Sequence, residues 1–271
     1  FYIARSGRPG PVLIDITKDA QFATADFEYK PCTSVRSYKP IPVVNPSEVE
    51  AAAAIISNAE KPLIVWGQGV ILGKAEEEFK AFVEKANIPA AWTILGVSAL
   101  PTSHPLNVGM VGMHGNSGPN VLTNECDVLI AIGMRFDDRV TGRLDGYAKQ
   151  AKVVHLEIDP AEVNKNVAAD VAVLGDVKQT LPMLTQKIAS KPYTEWFDKF
   201  KAHDKIEFDT VINKDLNPTK EGLSMAEVLK EINRASNSDA VVVSDVGQHQ
   251  MIACRYATFN PVSYTHLRAH E

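Results

Sequence analysis

Short apolar runs rich in Val, Ile and Leu recur along the middle of the chain, separated by stretches of mixed polar and apolar residues. Runs that are uninterrupted by polar residues are typical of strands buried on both faces of a parallel sheet. We therefore predict strands at 62–67 (PLIVWG), 89–93 (PAAWT), 127–133 (DVLIAIG), 151–159 (AKVVHLEID) and 171–176 (VAVLGD).

The intervening stretches carry helical periodicity. Residues 75–87 place Phe79, Phe82, Val83 and Ala86 on one face of a helix, which is the pattern of a helix packed on a sheet. Further helices are predicted over 48–59, after a capping Asn45 or Ser47, and over 118–126 and 179–188. The fold class predicted is α/β, a Rossmann-like parallel sheet with helices on both faces.

The flanks of this unit have a different composition. Residues 11–16 (PVLIDI) predict a short buried strand, and the proline-rich residues 22–46 predict a linker. Residues 193–212 predict a polar connecting helix, followed by a new helix over 225–235 and a strand over 240–247. The domain boundaries predicted are 1–44, 45–190, 191–221, 222–261 and 262–271. Neither end has the features of a domain boundary, so we expect a segment of a longer protein.

Overall composition narrows the function classes. The chain has 271 residues, 45% hydrophobic and 23% charged, which is ordinary for a globular protein. A formal net charge of −5 argues against nucleic acid or an anionic membrane as a partner. The apolar runs are far shorter than a membrane-spanning helix. Three widely spaced cysteines favour a reducing compartment and predict neither a disulfide framework nor a zinc site.

Parallel sheets bind ligands at the carboxyl ends of their strands, so the residues after each predicted strand are candidates. The first strand leads into GQGVILG (67–73), one residue longer than the usual dinucleotide turn. The next strand ends in Thr93 where the usual pattern has an acid that holds a ribose. On its own, this motif fits a plain strand–helix turn equally well.

The third predicted strand leads into GMRFDDRVTGR (133–143). Arg135 and Arg139 could bind a diphosphate, with Asp137 and Asp138 holding the arginines in place. A solvated loop of cancelling charges is the alternative.

Acidic residues follow the next two strands. Glu157 and Asp159, after the fourth, could accept hydrogen bonds from a ribose. Asp176, after the fifth, could accept from an amine or could cap the following helix, and Gly175 beside it could let the backbone approach a flat ring.

The stretch MVGMHGNSGPN (110–120) places three glycines around Met113 and His114. Glycine lets the backbone pass close to a ligand, with Met113 and His114 facing a planar ring. Core filling by Met113 and an ordinary loop histidine are the alternatives. Together with the strand ends, the stretch favours a dinucleotide lying along the edge of the sheet.

Five motifs occur in an order that resembles one known family. They are SGRPGPVLIDITKD, GMHGN, GMRFDDRVTGR, EIDPAEVNKN and SDVGQHQM. The chain resembles the catalytic subunits of the acetolactate synthase (acetohydroxyacid synthase) family, which are thiamine-diphosphate enzymes, from residue 1 to about residue 261. Residues 262–271 do not resemble the family, and we interpret them as a non-native tail from a cloning or sequencing junction.

The resemblance implies the tail of a pyrimidine-binding domain plus linker at 1–44, an FAD-binding central domain at 45–190, a connecting helix and linker at 191–221, and the start of a thiamine-diphosphate-binding domain at 222–261. The residues that it assigns to FAD are Arg8, Gly67, Gly69, Thr93, Ile94, Leu95, Met113, His114, Gly133, Arg135, Asp137, Arg139, Val140, Glu157, Ile158, Gly175, Asp176 and Val177. It assigns Gly247, Gln248 and His249 to thiamine diphosphate. Arg139 is the candidate for the substrate carboxylate, with His114 and Gln248 as further catalytic candidates.

The implied activity is decarboxylation of pyruvate and its joining to pyruvate or 2-ketobutyrate, an early step in branched-chain amino-acid synthesis. FAD would shape the pocket without net redox change. A homodimer or tetramer is implied, which a small regulatory subunit could join. The cytoplasm is the compartment favoured, with an organelle left open.

The match also has limits. The family's activating glutamate and its magnesium-binding Asp/Asn motif have no counterpart in these residues, which contain no assigned metal ligand. We therefore expect the chain by itself to be inactive. The alternatives are another thiamine-diphosphate enzyme, such as glyoxylate carboligase or sulfoacetaldehyde acetyltransferase, and a non-catalytic nucleotide-binding module.

Overall fold

A six-stranded parallel sheet forms the centre of the molecule. The computed structural model describes residues 1–219 and 221–260, and the backbone of residues 264–266. The sheet strands are β1 (Pro62–Trp66), β2 (Ala90–Trp92), β3 (Asn107–Met110), β4 (Val128–Ile132), β5 (Lys152–Glu157) and β6 (Val171–Leu174). Their order is β3-β2-β1-β4-β5-β6, and every neighbouring pair is parallel. The predicted α/β class is confirmed.

Helices connect and flank these strands. They are α1 (Lys18–Phe22), α2 (Pro46–Asn58), α3 (Gln68–Leu72), α4 (Glu76–Ala86), α5 (Ser117–Leu122), α6 (Asp138–Thr141), α7 (Val177–Thr185), α8 (Thr194–Glu207), α9 (Asn213–Leu216), α10 (Met225–Ala235) and α11 (Gln248–Tyr256). Short 3₁₀ turns span Ile3–Arg5 and Ile94–Gly96, and a π-helical turn, Phe208–Ile212, joins α8 to α9. The Asn45 side chain accepts a hydrogen bond from the Ser47 amide, as the capping prediction requires.

Both faces of the sheet are covered. Every residue of β1 and β4 is buried, and because successive side chains point to opposite faces, both faces must be packed. Among the helices that flank the sheet, α7 contacts both α2 and α4, and α5 contacts α8. On α8, Trp196 donates to the Pro62 carbonyl at 2.8 Å, which anchors the connecting helix to the first strand.

The strand order reverses between β1 and β4. β1 pairs with β2 on one side and with β4 on the other, over registers running from Pro62↔Val128 to Trp66↔Ile132. In open α/β sheets such a reversal leaves a crevice beyond the strand carboxyl ends, because the connections depart in opposite directions. The topology therefore leaves a crevice beside the segments that follow β1 and β4, which the sequence marks as candidates.

One edge strand, β3, was not predicted from the sequence. Its residues NVGM contain Gly109 at φ +99°, and its pairing with β2 shifts register between Ala90↔Asn107 and Trp92↔Met110. The segment is short and contains a glycine, and its pairing is irregular, so its sequence lacks the apolar pattern that marks the other strands. The consequence concerns the stretch 110–120, which begins at the end of a strand like the other candidate segments.

The prediction of a buried strand over 11–16 is wrong. These residues have no regular secondary structure, and Leu13 is 93% and Ile14 75% exposed. A strand needs a neighbour to accept its backbone hydrogen bonds, and none of the described strands lies beside this segment. Its apolar pattern is that of a strand, but pairing decides whether one forms.

The C-terminal part contains the predicted helix and strand. α10 begins with a capping box formed by Ser224 and Glu227, and β7 (Val242–Ser244) precedes α11. The backbone of β8 (Tyr264–His266) pairs in parallel with β7. The rest of the predicted tail, 262–263 and 267–271, lies outside the described residues.

Candidate functional site

A cavity of about 630 Å³ lies at the carboxyl ends of the sheet strands. Each of the six strands contributes residues from its end. The strand-end residues are Gly67, Gln68 and Gly69 after β1, Thr93, Ile94 and Leu95 after β2, Met110 and Val111 at the end of β3, Gly133, Met134 and Arg135 after β4, Glu157 and Ile158 at the end of β5, and Asp176 and Val177 after β6. A volume in the range of known ligand pockets and a wall drawn from every strand make this the principal candidate site.

The structure places nearly all of the residues assigned to FAD on this wall. Gly175 is the exception. It packs against the linker instead, where an added Cβ would lie 2.6 Å from Val44 Cγ2. The stretch Gly247–His249 is also absent from the wall, although its neighbours Val246 and Gln250 line it. The sequence analysis assigned no ligand contact to these two, nor to the apolar wall residues Ile41, Leu72 and Met134.

The arginine loop after β4 is internally organised by one aspartate. Asp137 caps α6 by accepting from the Arg139 amide at 3.0 Å, and its other oxygen lies 3.3 Å from Arg135 Nε. Arg135 is therefore held by a carboxylate, as predicted. The Arg139 guanidinium pairs with no carboxylate of the described residues. The loop thus presents one anchored and one unpaired cation to the cavity.

Three glycines allow the turns after β1 and β4 to touch. The Gly69 amide donates to the Gly133 carbonyl at 2.8 Å, and a Cβ on Gly69 would lie 2.6 Å from Gly133 Cα. A Cβ on Gly67 would meet Met134 Cβ at 2.6 Å. Since these neighbours are not flexible side-chain ends, the glycines are required by packing between the turns as well as by any ligand.

Glu157 lies at the end of β5 with one carboxylate oxygen bound to backbone amides and the other without a hydrogen bond from the described residues. Oε1 accepts from the amides of Ile158 and Asp159, at 2.9 and 3.2 Å. Oε2 lies 3.7 Å from Nε2 of the fully buried His155, which also contacts the Met134 carbonyl at 2.9 Å. Burial raises the pKa of Glu157, partly offset by the two amides. Burial likewise lowers the pKa of His155, which favours the neutral ring.

Arg8 closes one side of the cavity from the N-terminal segment. Its Nη1 atom lies 2.7 Å from Glu162 Oε1 and 3.1 Å from Asp159 Oδ2. The hydrogen bond to Glu162 raises the pKa of Arg8, which therefore stays charged. This link holds the segment that includes Gly7 and Pro9 against the residues that follow β5.

The stretch 110–120 forms another part of the cavity's edge, called the lip below, and contributes four residues to the wall. The Met113 amide donates to the Arg139 carbonyl at 2.8 Å, so this lip contacts the arginine loop directly. Asn120 fixes it by accepting from the Gly112 amide and donating to the Gly112 carbonyl. Met113 and His114 line the cavity and are largely exposed, so neither is core filling.

Asp176 caps a helix, as one of its two sequence interpretations predicts, and it also lies on the cavity wall. Its Oδ1 accepts from the Lys178 amide at 2.9 Å as the cap of α7, and the residue also lines the cavity. Elsewhere, no described group of three His, Cys, Asp or Glu side chains could hold a metal ion. Over the same residues, no helix has the length and hydrophobicity needed to cross a membrane.

Comparison with known proteins identifies the family. Residues 49–184 match the family model of the thiamine pyrophosphate enzyme central domain. The chain belongs to the thiamine pyrophosphate enzymes. The match covers the whole sheet from β1 to β6, whose strand ends form most of the cavity wall.

Curated relatives in this family are acetolactate synthases. The chain is 40% identical over 262 residues to the "Probable acetolactate synthase large subunit" of Methanocaldococcus jannaschii, covering 93% of this chain and 44% of that protein. It is 37% identical to the "Acetolactate synthase large subunit" of Corynebacterium glutamicum, covering 96% of this chain and 42% of that protein. It is 38% identical to the "Acetolactate synthase isozyme 2 large subunit" of Escherichia coli, covering 94% and 44%. The chain therefore spans less than half the length of these relatives.

Proposed function

We propose that this chain is part of an acetolactate synthase large subunit and that its cavity binds FAD. The observation that carries the proposal is that all six strand ends meet at one cavity whose wall combines cationic, carboxylate and apolar residues. The similarity of 37–40% to acetolactate synthase large subunits, over more than nine-tenths of the chain, supports this choice of enzyme.

The residues present fit a flavin dinucleotide. Arg135 and the unpaired Arg139 supply donors suited to a diphosphate, which arginine binds through paired N–H groups. The free Oε2 of Glu157 can accept from a ribose hydroxyl. Leu95 and Met113 offer apolar surface to a ring system. Arg8 contributes less than the resemblance implies, because its Nη1 is already engaged by two carboxylates.

The chain's own residues would bind and orient ligands in this enzyme. Thiamine diphosphate, when bound, supplies the electron sink that allows a 2-keto acid to lose carbon dioxide. Arg139 lies on the edge of the cavity without a carboxylate partner and is placed to pair with a substrate carboxylate. Gln248 and His249, at the start of α11, would contact thiamine diphosphate beside the wall residues Val246 and Gln250.

The remaining parts of the proposal concern the whole enzyme. The substrates would be pyruvate and a second 2-keto acid, and Mg²⁺ would accompany thiamine diphosphate at residues outside this chain. A homodimer or tetramer is proposed, which a small regulatory subunit could join, in the cytoplasm. The basis for these statements is similarity to large subunits of acetolactate synthases.

Titration of the purified chain with FAD tests the proposed site. We expect saturable binding, followed by the change in flavin fluorescence, and a Kd raised about tenfold or more by Arg135→Gln, since hydrogen bonds to charged groups contribute about 1.5–3 kcal/mol. Arg143→Gln is the matched control, because Arg143 is exposed and pairs only with Asp145. Absence of binding, or equal effects of the two substitutions, would contradict the proposal.

The activity of the isolated chain is a separate matter. It spans 44% of the M. jannaschii relative, and the elements assigned to magnesium and to activation of thiamine diphosphate are not among its residues. We expect no acetolactate from pyruvate even with all three cofactors added. A colorimetric acetoin assay with a cofactor-only blank measures this, and turnover above the blank would show that these elements are dispensable.

A further inference from the structure

We infer that Glu207 is a positioning residue that fixes two segments at the edge of the cavity relative to each other: the lip that carries Met113 and His114, and helix α11. Glu207 is the last residue of α8, is 8% exposed, and lies outside the cavity. This role goes beyond the proposed function, because it does not depend on which ligand the cavity takes.

One carboxylate oxygen of Glu207 contacts the lip that carries Met113 and His114. Its Oε2 accepts from the Ser117 amide at 3.0 Å and from Asn116 Nδ2 at 3.4 Å. Asn116 in turn closes the lip onto β3, accepting from the Met110 amide at 2.9 Å through its side chain and donating its own amide to the Met110 carbonyl at 2.8 Å. The position of this lip is thereby tied to the end of α8.

The other arm reaches α11. Oε1 of Glu207 accepts from Arg255 NH2, in the last turn of the helix whose first residue follows Gly247. The next residue, Tyr256, donates to Asp215 on α9, just after α8. Because a helix is rigid along its axis, holding its C-terminal turn also sets where its N-terminal turn, with the wall residue Gln250, meets the cavity.

The burial of Glu207 makes the loss of its ion pair and hydrogen bonds energetically costly. A buried carboxylate is costly unless it is paired and hydrogen-bonded, and Glu207 has both a guanidinium and two N–H donors. Removing its charge leaves the Arg255 guanidinium, only 21% exposed, without that partner. Surface pairs such as Lys199–Glu125, also on α8, lack this dependence because water can replace either partner.

Hydrogen–deuterium exchange of the full chain, without ligand, tests the inference. With Glu207→Ala we expect amides of 110–117 and of 250–256 to exchange at least about tenfold faster, which corresponds to about 1.4 kcal/mol in an opening equilibrium. Glu207→Gln keeps an acceptor for the Ser117 amide but loses the charge, so only 250–256 should accelerate. Arg255→Met should give the same one-sided result, and Glu125→Gln should change neither segment.

Several outcomes would overturn the inference. The inference fails if Glu207→Ala leaves both segments as protected as Glu125→Gln does, or if it accelerates exchange in only one of them. If Glu207→Ala unfolds the chain, Glu207→Gln and Arg255→Met decide, and uniform acceleration across the sheet in both would identify a general structural role. FAD titration of the same variants is independent. A wild-type chain that shows this exchange pattern but binds no flavin would refute the proposed function and leave the positioning role intact.

Discussion

Gly69→Ala tests whether contact between the turns after β1 and β4 shapes the cavity. A Cβ at Gly69 would lie 2.6 Å from Gly133 Cα and 2.7 Å from the Gly133 carbonyl oxygen. Carbon atoms in good van der Waals contact are about 3.5–4.0 Å apart, so the turns must separate by about 1 Å. Both obstructing atoms are backbone, and no side-chain rotation can relieve the clash.

Two opposing effects set the magnitude. Gly69 lies inside α3, where alanine is favoured over glycine by at most about 1 kcal/mol. Overpacking against a fixed backbone costs about 1–3 kcal/mol, and the hydrogen bond from the Gly69 amide to Gly133, 2.8 Å long, would be strained as well. We expect the clash to win, with a net destabilisation of about 1–2 kcal/mol.

Thermal unfolding followed by circular dichroism measures this loss, with a Tm lower by about 2–4 °C per kcal/mol for a chain of this size. Gly146→Ala is the matched control, because Gly146 is exposed and its nearest neighbour, the Arg143 carbonyl, is 3.9 Å from the added Cβ. Flavin affinity should fall for Gly69→Ala alone. If both variants melt with the wild type and bind FAD equally, the contact between the turns is not what requires glycine.

Three further predictions concern single side chains. Trp66→Phe removes the 2.7 Å bond from the indole to the buried Gly96 carbonyl and should destabilise the chain by about 1–3 kcal/mol in urea unfolding, whereas an unchanged midpoint would show that the carbonyl finds another donor. Burial lowers the pKa of His155, so the folded state binds fewer protons than the unfolded state. The contribution of His155 to the free energy of unfolding is therefore present above its ordinary pKa of 6.5 and is lost as the pH falls below that value. His155→Gln should flatten the fall in unfolding free energy below pH 6.5, and an unaltered slope would refute this assignment. Asp176→Ala should cost about 1 kcal/mol in the same assay by removing the cap of α7, whereas Asp176→Asn should retain most of it, and equal losses would contradict capping.

The sheet was largely predictable because its signal is local. Strands β1 and β4 are continuous apolar runs buried on both faces, β5 is buried along its length after Lys152, and the bounds of all three differ from the prediction by one or two residues. The amphipathic face of α4 buries the four residues expected, since their spacing alone defines it. The strand β3 escaped because its four residues contain a glycine, and a register shift replaces regular pairing.

Features that depend on distant partners could not be predicted. The segment 11–16 has the pattern of a strand but no described neighbour to pair with. The link between Arg8 and Glu162 joins residues 154 positions apart, and no local pattern marks it. Glu207 likewise ends an ordinary polar helix, and only the fold brings Ser117 and Arg255 to its two oxygens.

From the sequence, a helix cap and a ligand contact are competing interpretations of the same aspartate, and the fold explains why one residue can be positioned for both. In a parallel sheet a helix often begins soon after a strand ends, so the N-cap residue lies at the carboxyl edge where ligands bind. Asp176 caps α7 and lines the cavity, and Asp137 caps α6 while holding Arg135. A capping aspartate accepts from a backbone amide with one carboxylate oxygen, which leaves the other oxygen for a neighbouring cation or a ligand. Local sequence therefore predicts the cap, whereas the ligand contact follows only once the strand order is known.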